Sequence, residues 1–242
     1  LCRLVGAVWK NTELAVNPWV LLTQGPGCPI GIAAKRYRAG FGADGFYYYG
    51  DRLLRPQGSA EDYQFRDSLS RTRHGAPRFN HTDEPDPARI EALVAIVRAL
   101  EAQGARVIAF APPVAPRVAK EMADSGKYGY VPKSWSALME RGVPVHDFHD
   151  PASLGLQDCE FVDGFHAGDA AFARILRTLA DREPDLAPYV DRAELERLSA
   201  ITGRAAVYLE ETFGIAEPDF LGLGCAKQPV PQLAQSSSNR SL

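Results

Sequence analysis

The chain has no run of about eighteen apolar residues, so it lacks a segment of the length a bilayer requires of a spanning helix. No basic-then-apolar stretch of targeting type opens it either. Charge of one sign is not in excess: 27 Lys and Arg stand against 30 Asp and Glu, a formal net charge of -3. That balance gives no electrostatic footprint for nucleic acid or an anionic membrane surface, and neither partner is expected. The four cysteines, Cys2, Cys28, Cys159 and Cys225, include no CxxC pair, which removes the commonest spacing of a structural metal site. Free thiols and one or two disulfides both remain open, and with them the redox compartment. No internal repeat is present, and no serine occurs before Ser59.

What is present suffices for a full core. With 242 residues, 45% of them apolar, the chain can bury one α/β domain with a decorated end. Residues 1–85 are rich in Gly, Arg and aromatics and read as irregular, with one possible helix near Val5 to Leu14. The stretch Leu1 to Val8 has a mid-domain character, and an upstream segment is expected. From Asp86 to Asp181 the α/β grammar is clean. Asp86 caps a helix with Pro87 at its first position; Ile90, Leu93, Val94, Val97 and Leu100 repeat at helical spacing, and Gly104 ends it. A buried strand is predicted at Arg106 to Ala111, stopped by Pro112-Pro113, whose rings cannot donate to a ladder. Helices over Ala115 to Asp124 and Ser134 to Arg141, a strand at Val143 to Phe148, and a helix from Asp169 to Ala180 with Phe172, Ile175, Leu176 and Leu179 on one face complete the pattern. The expected fold is a three-layer parallel sheet with helices on both faces. Residues 182–227 read as a helical extension, with one helix from Asp191 to Phe213, and 228–242 as a disordered tail.

Ligands of parallel sheets gather at the carboxyl ends of the strands. There the tetrapeptide Asp163-Gly164-Phe165-His166 places a carboxylate and an imidazole three residues apart before a helix that Asp169 would cap. In such a pair the carboxylate accepts the Nδ1–H and leaves Nε2 to take a proton. A plain helix-start turn with a surface histidine is the competing reading.

Val107-Ile108-Ala109-Phe110-Ala111-Pro112-Pro113 and Phe161-Val162-Asp163-Gly164-Phe165-His166-Ala167-Gly168, in that order, resemble the SGNH (GDSL-like) hydrolase superfamily over roughly residues 86–181. The similarity is closest to its cell-envelope branch of teichoic-acid D-alanyl transfer and polysaccharide O-acetylation. The resemblance implies an esterase or acyltransferase of a carbohydrate or cell-envelope ester, working without cofactor on the extracytoplasmic side, with Asp163 and His166 as acid and base of a Ser-His-Asp triad. It also implies an early Gly-x-Ser nucleophile, which this chain lacks. The serine is expected upstream of Leu1, the alternative being a non-catalytic polysaccharide-binding domain of the same fold. Asn80 is the candidate oxyanion amide, with a turn role near Pro77 and Pro85 as its plainer reading. Ser68 and Ser70 have no nucleophile-elbow context.

A metal-dependent hydrolase competes for the same histidine, because His146, Asp147, His149, Asp150, Asp158, Asp163 and His166 crowd one stretch. If Val143 to Phe148 is a strand, only residues past its end can join, which reduces the ligand set to His149 and Asp150 with Asp163 and His166. The aromatic run Phe46 to Tyr49, with Trp9, Trp19 and Trp135, suits packing better than sugar stacking. Gly25-Pro26-Gly27 and the glycines from Gly40 to Gly45 are not phosphate loops, since no Lys-Ser/Thr follows. Arg36, Arg38, Arg52 and Arg55 read as a solvated basic edge.

Overall fold

The structure is a computed structural model that describes residues 31–42, 46–227 and 230. Val5 to Leu14, Gly25 to Gly27, Trp9 and Trp19 lie outside the described residues, as does the tail apart from Val230. The chain divides into two units, residues 1–56 and 57–242.

In the first unit, α1 (Ile32–Tyr37) leads into an antiparallel hairpin, β1 (Ala39–Phe41) with β2 (Tyr47–Tyr49), and then the single turn α2 (Gly50–Leu53). The aromatic run packs against itself: Phe41 meets Tyr47 edge-on at 4.9 Å, and Tyr47 lies 4.7 Å from Tyr49. Packing is therefore the observed use of this run.

The second unit is a mixture of helices and short strands. Helix α3 (Arg66–His74) occupies sequence expected to be irregular; its apolar content is low, so helical periodicity was invisible there. Asp86 caps α4 (Pro87–Ala102) as expected, its side chain accepting the Ala88 amide at 2.9 Å. Strands β3 (Ala109–Ala111) and β4 (Val145–Asp147) are shorter than predicted but pair in parallel, Ala109 opposite Val145 and Ala111 opposite Asp147. Between them run α5 (Pro116–Ser125) and α6 (Tyr130–Glu140). Ile90, Val94 and Val97 of α4 and Leu138 of α6 pack with Val107, Ala109 and Val145. On alternate strand residues, Ile108 and Phe148 pack with Ile175 and Leu179 of α7 (Asp169–Arg182). This opposition is the period-two alternation of a strand covered on both sides.

Two face assignments need correction. Leu93 and Leu100 of α4 and Phe172 and Leu176 of α7 are exposed, while Ala170, Ala171 and Ala173 join Ile175 and Leu179 on the buried side of α7. The expected helix from Asp191 to Phe213 is two, α8 (Arg192–Ser199) and α9 (Tyr208–Phe213), separated by a segment in which Gly203 adopts a φ of +70°. Val230, placed in the expected disordered tail, is buried with Ala170, Ile201 and Val207. Cys159 and Cys225 form a disulfide.

Candidate functional site

The Asp163–His166 turn is a closed loop. A single antiparallel bridge joins Phe161 to Ala167, and the Val162 amide donates to the His166 carbonyl at 2.8 Å, so the loop leaves no strand of the sheet as the sequence suggested. Its neck is fixed by buried groups. The Gly168 amide donates to the Glu160 carbonyl, and the Glu160 carboxylate, fully buried, takes two hydrogen bonds from Arg174 of α7 at 2.6 and 3.1 Å. Arg174 also donates to the carbonyls of Ser199 and Ile201, which satisfies a charge that would be costly if unpaired.

The tip is fixed from another side. Buried Asp62 accepts the Gly164 amide at 2.8 Å, the amides of Asp67 and Ser68, and the Ser68 hydroxyl at 2.6 Å. The Gly164 carbonyl accepts the Ala115 amide just ahead of α5. Gly164 lies so close to Ser68 that a Cβ there would collide with the serine side chain, so any larger residue forces a shift. Asp62 and α3 are the parts of the site that sequence reading missed. Asp62 sits more than a hundred residues from the loop, with nothing local to mark it.

Within the loop, Asp163 Oδ1 accepts the amides of Phe165 and His166 at 2.9 and 2.8 Å, and Oδ2 faces His166 Nδ1 at 2.7 Å. An ionised carboxylate only accepts, so Nδ1 carries the proton and Nε2 is the basic nitrogen. Nε2 has no hydrogen-bond partner among the described residues, and the imidazole is about half exposed, 53% against 17% for Asp163. The Phe165 ring lies tilted against it, ring centres 4.0 Å apart, and Phe165 is in turn met edge-on by Phe79 at 6.1 Å and covered by the Arg78 guanidinium at 5.1 Å. Asn80, which follows Phe79 in sequence, is exposed.

The other predicted residues go elsewhere. Ser68 is buried and its hydroxyl is committed to Asp62. His146 pairs with Glu183 at 2.8 Å, Asp147 and Asp150 cap their own turns, and Asp158 binds the Arg117 amide and guanidinium. His149 is held beside the Pro112 carbonyl, with burial pushing its pKa down. No group of three His, Cys, Asp or Glu side chains among the described residues is arranged to hold a metal, so His149, Asp163 and His166 are not assembled as the ligand set considered above. Asp169 does not cap α7: Gly168 does, and Asp169 accepts the Tyr208 amide at 3.2 Å instead, with burial raising its pKa to about 7.

No helix among the described residues is long and apolar enough to cross a membrane. No family model, curated protein or solved structure matches the chain.

Proposed function

We propose that the chain is the acid–base part of an SGNH-type ester hydrolase or O-acyltransferase acting on a carbohydrate or cell-envelope ester. The observation that carries this reading is the 2.7 Å Asp163–His166 contact with Nε2 left unpaired and accessible. A carboxylate saturated by its own loop amides holds one tautomer and stabilises the imidazolium formed when Nε2 takes the proton of an attacking hydroxyl; the same nitrogen then returns it to the leaving alcohol. By the resemblance the hydroxyl is that of a serine in polypeptide preceding Leu1; Ser68, the serine packed against the loop, is engaged by Asp62. Asn80 is the proposed oxyanion donor, next in sequence to Phe79, whose ring meets Phe165.

The larger three-layer sheet belongs to the same proposal. Among the described residues β3 has a partner on one edge only, and large apolar side chains lie exposed on the strand and on helices of both faces: Phe110, Leu93, Ile96 and Leu100 of α4, and Phe172 and Leu176 of α7. Such surface is what a further strand beside β3, leading to the serine, would cover. The Cys159–Cys225 disulfide supports an oxidising, extracytoplasmic location.

Hydrolysis of p-nitrophenyl acetate by the natural full-length protein tests the reading. His166→Ala is expected to lower kcat/KM by roughly a hundred- to ten-thousand-fold with KM little changed, the usual worth of a positioned general base. Asp163→Asn is expected to act in the same direction. A folded protein that shows no hydrolysis supports the non-catalytic polysaccharide-binding alternative, and hydrolysis indifferent to both changes contradicts the role given to the pair.

A further inference from the structure

A groove of about 700 Å³ runs between α5, α6 and the segment 149–156, apart from the residues given roles above. Its volume lies within the range of roughly 300–1,000 Å³ typical of small-molecule sites. The walls are mainly apolar, among them Ala119, Met122, Ala123, Val131 and Leu156. Most of its polar lining is already engaged. Lys120 pairs with Asp124 at 2.6 Å, the Tyr128 hydroxyl lies 2.8 Å from the Thr72 carbonyl and 3.0 Å from that of Phe79, and Asp150 caps the Ala152 amide.

His149 is the exception. Its ring lines the groove and has the Pro112 carbonyl against it, while the carboxylates of Asp147 and Asp150 act on it from further off. Whichever nitrogen faces that carbonyl, a neutral imidazole keeps one ring nitrogen as an acceptor. Burial favours that neutral ring over imidazolium.

We infer that this groove binds a small amphipathic molecule: an apolar chain or ring carrying a single hydrogen-bond donor, such as a hydroxyl, that is received by His149. The apolar body covers the α5 and α6 walls, and the donor is received by the acceptor nitrogen of His149. A carboxylate-headed molecule is disfavoured, because a neutral imidazole acceptor with two carboxylates near it repels an anion. The inference is independent of Asp163 and His166 and stands or falls separately from the hydrolase reading.

The test is titration of the isotope-labelled chain with 1-octanol and, in parallel, with its methyl ether, followed by amide chemical shifts. Octanol is expected to move the amides of Ala119, Ala123, Val131 and Leu156 saturably, and to bind at least about fivefold more tightly than the ether, which cannot donate; fivefold is about 1 kcal/mol, the net worth of one hydrogen bond. Ala123→Trp fills the groove from an exposed helix position and is expected to abolish both titrations while shifts elsewhere stay in place; Ala119→Phe serves the same purpose if the first variant folds poorly. His149→Phe is expected to bring the two affinities together. Absent or scattered shifts at saturating octanol, binding that survives both filling variants, or equal affinity for octanol and ether in the unmodified protein overturns the proposal.

Discussion

At the scale of the residue, the site depends on groups that do no chemistry. Asp62 satisfies four donors from two distant segments, and removing its carboxylate leaves several of them buried and unpaired. Asp62→Ala is expected to cost about 3 kcal/mol in urea unfolding, by the usual penalty for orphaned buried donors. Gly164→Ala forces its Cβ into Ser68, an overpacking expected to cost about 1–3 kcal/mol and to disturb the His166 ring resonances. Asp169 gives a pH signature. Its folded-state pKa of about 7 lies above the ordinary carboxylate value, so the folded protein binds the extra proton more tightly than the unfolded one. The stability it confers is present in full below the unfolded-state pKa, near 4, and is lost as pH rises through about 7. Asp169→Asn keeps an oxygen to accept the Tyr208 amide and cannot ionise, so its stability relative to the unmodified protein is expected to rise between pH 4 and pH 8. A constant difference across that range contradicts the assignment.

At the scale of the element, the loop's neck is held by a disulfide and a buried ion pair. Cys159 lies directly before Glu160, and its bridge to Cys225 spans 66 residues. A loop of that length is expected to stabilise by about 4 kcal/mol through the unfolded state, so Cys225→Ser should lower unfolding free energy by a comparable amount, with reductant having no further effect on the variant. What could be read from sequence follows the same division between local and distant. Helix α4 was legible because Asp86, Pro87 and the Ile90, Val94, Val97 repeat are all local signals, and so was the parallel pair β3–β4 from its apolar runs and their stops. The exposed Leu93, Leu100, Phe172 and Leu176 were assigned to the core because periodicity reports apolar residues without saying what each has to pack against. Helix α3 carries almost no apolar pattern, and the 191–213 segment hides its break in one glycine. The Asp163–His166 contact was legible because both partners sit within one turn. Asp62, Arg174 and the pairing of Cys159 with Cys225 were not, since each joins segments that no local pattern relates.

At the scale of the whole molecule, large apolar side chains lie exposed on α4, β3 and α7, and among the described residues β3 is paired on one edge only. The folded chain is expected to enhance anilinonaphthalene sulfonate fluorescence through that surface, and a chain carrying the proposed further strand to do so far less. Equal dye binding by both forms would remove the support for a further strand. Whether His166, oriented by Asp163, serves the proposed upstream serine is decided by fluorophosphonate labelling of the protein together with any polypeptide preceding Leu1, with mass-spectrometric mapping. One label per chain on a serine preceding Leu1, lost in His166→Ala and retained in Ser68→Ala, is the expected result. A folded full-length protein that takes no label, or one that labels equally well without the imidazole, contradicts it.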